Sequence, residues 1–126
     1  MDDDGKLQQF LDQKHLNLET YRKNGTGVKT PVWFVINDNG IIHVITREST
    51  RKVKRLANNS KVKIVPCSFK GEPSGEWISG NATLVTGEDA EKAVKLRKKK
   101  YGFKALLSGV INKTKGKVVV YSITLD

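Results

Sequence analysis

The stretch "KTPVWFVINDNGIIHVIT", residues 29–46, decides the fold, because two apolar runs in it are joined by a tight-turn signature. Residues 29–37 are apolar on both faces, which predicts a strand that is covered on both sides. Residues 37–40, "NDNG", are typical of a hairpin turn, and residues 41–46 predict the returning strand. A turn this short requires the two strands to pair antiparallel.

Four further stretches outside this hairpin have the alternation or the apolar content of strands. They cover residues 15–23, 62–68, 77–86 and 117–125. In the first stretch, Leu16, Leu18 and Thr20 point to one side of the strand. Six antiparallel strands joined by tight turns most economically close into a barrel, which leaves no exposed sheet edge. The sequence therefore predicts a mainly β, six-stranded antiparallel barrel with flanking helices.

The start of the chain, residues 1–13, combines an acidic lead with a short helix. The apolar face of that helix is predicted to hold Leu7, Phe10 and Leu11. Because we find neither a linker nor an internal repeat, we predict that residues 1–126 form one domain.

Two longer helices are predicted between the strands. The first runs from about residue 49 to 58, and Ser49 or Thr50 can cap it. Its inward stripe is predicted to be Val53, Leu56 and Ala57. The second, residues 88–100, has an acidic start and a basic end, which the helix dipole favours. The stretch "YGFKALLSGVI", residues 101–111, adds a further helical turn or two.

The composition favours an anionic partner and a cytoplasmic location. Lys and Arg number 23 against 13 Asp and Glu, a formal net charge of +10. Such an excess attracts nucleic acid, anionic lipid or a phosphorylated cofactor. The lone Cys67 allows no internal disulfide, and the start of the chain lacks the pattern of an export signal. No apolar run is long enough to cross a bilayer.

The stretch "TRESTRKVKR", residues 46–55, leads from the hairpin into the predicted helix. The first amides of a helix lack partners and favour an anion. Three hydroxyls and three cations lie close to these amides in the sequence: Thr46, Ser49, Thr50, Arg51, Lys52 and Arg55. This combination indicates a phosphate site. The alternative is that the charges only solvate the exposed face of an amphipathic helix.

The stretch "TPVWF", residues 30–34, lies one hairpin away from this basic stretch. Pro31 has no amide hydrogen, so it predicts a place where the strand ladder opens. Trp33 offers a flat apolar surface, which suits a ligand that joins a ring system to a phosphate. The alternative is that Trp33 is a core residue.

The sequence resembles a known family in four of its segments. These are "YRKNGTGVKTPVWFV" (21–35), "VITRESTRKVKRLANNSKVKIVPC" (44–67), the spaced pattern "G.W..G.A" (75–82) and "LRKKKYG" (96–102). They are similar to the flavin-binding split-barrel relatives of pyridoxamine 5′-phosphate oxidase, and most similar to the branch that uses the deazaflavin coenzyme F420. The resemblance covers residues 15 to 104.

The resemblance implies a six-stranded FMN-binding split barrel that forms a homodimer, with F420 or FMN at the subunit interface. It implies an oxidoreductase that transfers hydride between the reduced cofactor and a small organic acceptor, with no catalytic side chain and no metal. By matching motifs, the ring contact falls to Thr30, Pro31, Val32 and Trp33. The phosphate contact falls to Thr46, Arg47, Ser49, Arg51, Lys52 and Arg55.

Two departures from the family pattern leave the choice between F420 and FMN open. Residues 49–52 read Ser-Thr-Arg-Lys where the branch often has Ser-Gly-Lys, and Ile42-His43 replace the usual Leu-Tyr. The substrate does not follow from the sequence.

Two other functions stay open. A basic small barrel can bind single-stranded nucleic acid, although the aromatic residues here are sparse at 7% and are not interleaved with basic ones. A cofactor carrier without turnover has the same sequence features as an enzyme. Of the remaining polar residues, His43 is interpreted as structural or ring-facing, and the run 97–100 as mainly a solvated helix end.

Overall fold

The structure, a computed structural model, describes residues 6–101 and 117–126. Within these ranges the strands are β1 (His15–Tyr21), β2 (Gly27–Val32), β3 (Phe34–Ile36), β4 (Ile42–Arg47), β5 (Lys61–Cys67), β6 (Ile78–Val85) and β7 (Val118–Leu125). The helices are α1 (Arg51–Asn58) and α2 (Glu88–Tyr101), and a helical turn covers residues 6–8. No helix among the described residues is long and apolar enough to span a membrane.

All seven strands belong to one antiparallel sheet with the order β2-β1-β5-β6-β7-β4-β3. The two edge strands, β2 and β3, are consecutive in the chain and are separated by Trp33 alone. The sheet must therefore curl until its edges meet, which makes a split barrel. The predicted mainly β barrel is confirmed, with seven strands because the predicted strand over residues 29–37 divides at Trp33.

The ladder opens two residues later than we predicted. Pro31 is paired opposite Asn17, and pairing with β1 continues to Val32. Pairing resumes on the other side of the opening, where Phe34 lies opposite Val44. Pro31 is tolerated because β2 is an edge strand, whose outer backbone positions need no partner.

The hairpin between β3 and β4 has the predicted turn. Asn37 Oδ1 accepts hydrogen bonds from the amides of Asn39 (2.9 Å) and Ile41 (3.0 Å). Gly40 has a φ of +77°, which a residue without a Cβ adopts at little cost. This geometry turns the chain directly back into β4.

The barrel interior forms the main core. Leu16, Leu18 and Thr20 are all buried on the inner face of β1, as predicted. Phe10 packs edge-on against Phe34, with the ring centroids 6.0 Å apart. Leu56 of α1 closes one end of this core.

Two expected core positions are wrong. Leu11 is 48% exposed, because the helical turn is short and the backbone of Asp12 turns away at φ 62°. Ala57 is exposed, since α1 lies over the barrel end and buries only Leu56 fully.

A second core lies between the outer face of the barrel and α2. It consists of Val35, Ile45, Ala93 and Val120. Helix α2 begins at Glu88 as predicted. The acidic lead and the further helical turns predicted beyond residue 101 lie outside the described residues.

Candidate functional site

The end of β4 and the start of α1 form the region in which we predicted a phosphate site. Thr50 stands at the N-cap position of α1 but makes no capping hydrogen bond with its side chain. Its hydroxyl instead donates to the carbonyl of Arg47 at 2.8 Å. Thr50 therefore occupies the predicted cap position, but its hydroxyl fixes the turn that leads from β4 into the helix instead of bonding to a helix amide.

A cluster of cations lies where α1 crosses β1. Arg55 Nε donates to the hydroxyl of the fully buried Thr20 at 2.6 Å. Burial lowers the pKa of Arg55, and the positive charges of Arg22 and Arg51 lower it further. Burial and then the charge of Arg55 also lower the pKa of Lys52. We call Arg22, Arg51, Lys52 and Arg55 the basic cluster.

Two members of the basic cluster, Lys52 and Arg55, are close enough to other cations for those charges to lower their pKa. Like charges that lie close together in a partly desolvated place disfavour the charged forms of one another. A bound anion reverses the sign of that interaction, because it supplies the charge that the cluster lacks. Guanidinium groups recognise phosphate, like carboxylate, through paired N–H donors.

The remaining predicted phosphate ligands are divided between two sides of the barrel. Thr46 is half-buried and lies two residues after the core residue Val44. Residues two apart on a strand share a face, so the side chain of Thr46 is also on the inner side. Arg47 lies close to Arg97 of α2. The pKa of Arg97 is lowered first by burial and then by the positive charge of Arg47. Ser49 is exposed in the connection to α1.

The four residues predicted to contact a ring alternate between the two faces of the chain. Val32 is buried in the barrel core, and Thr30 is half-buried on the same side. Pro31 points outward and is exposed. Only their shared backbone, together with Pro31 and the half-buried Trp33, forms an outward surface.

Trp33 itself is held in the opening of the barrel by two side chains. Its ring stacks on Tyr101, with centroids 4.3 Å apart and planes 6° apart. Its Nε1 donates to Nε2 of His15 at 3.2 Å. Burial, followed by the charges of Lys100 and Lys14, lowers the pKa of His15, which keeps this acceptor neutral.

The last residues of α2 fill the opening beside Trp33. The Tyr101 hydroxyl accepts from the Phe34 amide at 3.0 Å and lies 2.6 Å from the Lys14 carbonyl oxygen. Burial raises the pKa of Tyr101 to about 12, so the hydroxyl keeps its proton. Lys100 Nζ donates to the Phe34 carbonyl at 2.9 Å and lies 3.6 Å from the Phe34 ring centroid. We call the contacts among His15, Trp33, Phe34, Lys100 and Tyr101 the seam.

Lys98, Lys99 and Lys100 are exposed, which agrees with the interpretation of the run 97–100 as mainly a solvated helix end. The seam adds a specific contact at the end of this run. Lys100 is an exposed residue as a whole, but burial around its ammonium group lowers its pKa to about 8. Arg97 is half-buried.

Sequence reasoning also missed Arg22 as a member of the basic cluster and Thr20 as the hydrogen-bond partner of Arg55. No local signal identifies them, because both lie more than 25 residues before α1.

Comparison with known proteins agrees with this architecture. The family model described as pyridoxamine 5′-phosphate oxidase matches residues 4–126. No curated protein matches the chain at a significant level of sequence similarity.

Three solved structures are similar over almost the whole chain. The haem storage protein HutZ from Vibrio cholerae is 17% identical with a TM-score of 0.69, and the match covers 97% of this chain and 87% of HutZ. A conserved hypothetical protein from Mycobacterium tuberculosis is 16% identical with a TM-score of 0.73, covering 99% and 81%. A candidate pyridoxamine 5′-phosphate oxidase from Listeria innocua is 14% identical with a TM-score of 0.63, covering 100% and 94%.

At these identities the solved structures establish the fold, and the family model establishes the family to which the chain belongs. The split barrel, the basic stretch at its end and the match over residues 4–126 agree with one another. The chain therefore belongs to the pyridoxamine 5′-phosphate oxidase family.

Proposed function

We propose that this protein is an oxidoreductase that binds FMN or coenzyme F420 as a homodimer and transfers hydride to or from a small organic acceptor. The observation that carries the proposal is the basic cluster, in which Lys52 and Arg55 are partly buried and burial, followed by neighbouring positive charges, lowers the pKa of both. A cofactor phosphate is the group that would neutralise these charges.

The cluster is organised to receive a phosphate. Arg55 is fixed by its hydrogen bond to Thr20, so its remaining N–H donors keep a defined direction. Arg51, four residues earlier, lies on the same face of α1. Lys52 adds a point charge between them in the chain. Donors that are already oriented lose little entropy when the anion arrives.

The ring of the cofactor is assigned to the outward surface at Pro31 and Trp33. Trp33 is a rigid wall there, since Tyr101 and His15 hold its ring. The backbone of β2 is an open sheet edge, so its polar groups are available to a ring system with hydrogen-bonding edges. We assign the other side of the site to a second subunit.

A bound flavin or deazaflavin supplies the hydride chemistry. The residues of this chain bind the phosphate, orient the ring against Trp33 and exclude water from one side of it. The Tyr101 hydroxyl, with its raised pKa, keeps its proton on the Phe34 and Lys14 backbone and remains structural.

Haem has less support in this chain than a flavin has, although HutZ is described as a haem storage protein. The chain has two histidines. His15 already accepts a hydrogen bond from Trp33, and His43 is only 6% exposed. Neither imidazole is placed to ligate the iron of a large planar cofactor without rearrangement.

The decisive experiment is a fluorescence titration of the purified protein with FMN, riboflavin and F420, with hemin followed by absorbance. We expect FMN to bind about 10- to 100-fold more tightly than riboflavin, because a charge-assisted hydrogen bond contributes about 1.5–3 kcal/mol. The difference should shrink as salt is raised. Equal affinities for FMN and riboflavin would remove the phosphate site, and tighter binding of hemin would replace the proposal.

Two further measurements separate the parts of the proposal. Sedimentation with and without FMN tests the homodimer, and a monomer that binds FMN stoichiometrically contradicts it. Oxidation of the reduced cofactor in the presence of candidate acceptors tests turnover. A cofactor that stays reduced with every acceptor indicates a carrier instead of an enzyme.

A further inference from the structure

Phe69 has the most exposed large apolar side chain in the described part of the chain, at 73%. It lies in the connection between β5 and β6. A single exposed apolar residue is common on protein surfaces and by itself indicates no site. What distinguishes Phe69 is the order and the location of the turn that carries it.

The turn that carries Phe69 is held by its own hydrogen bonds. The hydroxyl of Ser68 accepts from the amides of Lys70 and Glu72, each at 3.2 Å. The Gly71 amide donates to the Ser68 carbonyl at 2.9 Å, and Gly71 takes a φ of +89°. The backbone on both sides of Phe69 is therefore fixed, so its ring projects from a defined point.

The same turn rests on the strand that carries Pro31. Asn17 Nδ2 donates to the Gly71 carbonyl at 2.7 Å, and Asn17 pairs with Pro31 across β1 and β2. A Cβ placed on Gly71 would lie 3.2 Å from Cγ of Pro31. The backbone two residues after Phe69 therefore packs against the outward side of Pro31.

The start of the turn lies close to the residue that holds Trp33. The turn directly follows Cys67, which pairs with His15 across β5 and β1. His15 accepts the hydrogen bond of the Trp33 ring at 3.2 Å. Pro31, Trp33 and Phe69 therefore lie at one corner of the barrel, and the first two form the surface proposed for the cofactor ring.

A planar ring system is the partner that suits this corner best. Aromatic rings attract one another in offset or edge-on contacts, beyond the effect of the area that they bury. A second subunit is the alternative occupant, since protein surfaces also cover exposed phenyl rings. The contact of the turn with Pro31 favours the cofactor, because a ring that rests on Pro31 and Trp33 meets Phe69 at its margin.

On the basis of the proposed function, we propose that Phe69 contacts the ring system of the bound flavin or deazaflavin. Phe69 contributes to the affinity for the ring, whereas the basic cluster contributes to the affinity for the phosphate. The two contributions are distinguishable, because riboflavin has the ring system of FMN but lacks its phosphate.

Fluorescence titration of Phe69→Ala with FMN and with riboflavin separates the two contributions. We expect both ligands to lose about three- to tenfold in affinity, because the aromatic contact is made to the ring that they share. The ratio of the FMN affinity to the riboflavin affinity should stay at the wild-type value. Phe69→Tyr, which retains an aromatic ring, should bind both ligands within about twofold of the wild type.

Leu84→Ala is the matched control, since Leu84 is another exposed apolar residue, at 54%, and lies at the end of β6, outside the proposed site. It should leave both affinities unchanged. Sedimentation of the Phe69→Ala protein tests the alternative occupant. A Phe69→Ala variant that binds FMN and riboflavin as tightly as the wild type, or whose dimer is weakened, overturns the proposal.

Fluorine NMR of protein labelled with 4-fluorophenylalanine detects the contact without relying on affinity. The chain has four phenylalanines, and the signal of Phe69 is the one that is absent from a Phe69→Leu variant. Saturating riboflavin, or F420 where only the deazaflavin binds, should shift this signal through the ring current of the ligand. A Phe69 signal that stays in place while the ligand is bound overturns the inference and leaves the proposed function standing. If neither a flavin nor F420 binds the wild type, both fail together.

Discussion

The seam and the basic cluster are two places where the β ladder is followed by a helix. They differ in whether their polar groups find partners within the chain. At the seam, the ladder is interrupted at Trp33, and the end of α2 supplies the missing partners. Tyr101 and Lys100 satisfy the amide and carbonyl of Phe34. At the basic cluster, α1 brings Arg51, Lys52 and Arg55 toward Arg22, and the cations oppose one another.

The difference separates stability from function. Groups that are matched within the chain, as the Tyr101 hydroxyl and the Phe34 amide are at the seam, lower the free energy of the folded state by themselves. Groups that repel one another are retained against stability, and an external anion makes them favourable. Polar side chains at the seam should therefore matter for folding, whereas those of the basic cluster should matter for binding.

The largest effect is expected for Lys52→Ala, which should lower FMN affinity by about 10- to 100-fold. The same change should alter the free energy of unfolding by no more than about 0.5 kcal/mol, because it removes one of the repelling charges. Fluorescence titration and urea denaturation measure the two quantities.

Lys54→Ala is the matched control, since Lys54 is an exposed lysine of the same helix outside the basic cluster. It should change FMN affinity by less than about twofold. A Lys52 variant that unfolds easily but binds FMN normally when folded would show that Lys52 contributes to stability and not to FMN binding.

An intermediate effect is expected for Tyr101→Phe, which should lower the free energy of unfolding by about 1–3 kcal/mol. The substitution leaves the Phe34 amide without its acceptor but retains the ring that stacks on Trp33. Tyr21→Phe, which removes one hydroxyl bonded to Glu19, should cost at most about 1 kcal/mol. If the two variants have the same free energy of unfolding, the Tyr101 hydroxyl does not stabilise the fold more than an exposed tyrosine hydroxyl does.

The smallest effect is a pH dependence at Lys100. Burial lowers the pKa of its ammonium group from 10.5 to about 8. Between these values the unfolded chain binds more protons than the folded one, so the stability due to this group increases as pH rises. Below pH 8 both states are protonated and the penalty of burial is fully present.

Lys100→Met isolates this contribution. The unfolding free energy of the wild type minus that of the variant should rise from about pH 8 toward pH 10.5, measured by urea denaturation. Taking the difference removes the opposite trend of Tyr21 and Tyr101, whose raised pKa values favour unfolding at high pH. A flat difference would place the Lys100 ammonium group in solvent.

The sequence predicted the strands well because their periodicity is local. The hairpin at residues 37–41, the inward face of β1 and the start of α2 all appear where the pattern put them. It predicted the basic stretch of the candidate site for the same reason, since residues 46–55 are contiguous. It misplaced Leu11 and Ala57, because the depth of burial depends on what packs above a helix.

The order of amino acids by itself determined an antiparallel barrel with a dense positive charge where one hairpin passes into a helix. Only the tertiary structure decided how these charges are partnered. Arg55 meets Thr20 across 35 residues of chain, and Tyr101 meets Phe34 across 67. The burial of His43 beneath α2 was decided in the same way. Contacts of this range depend on how the sheet curls, and no local pattern encodes that curvature.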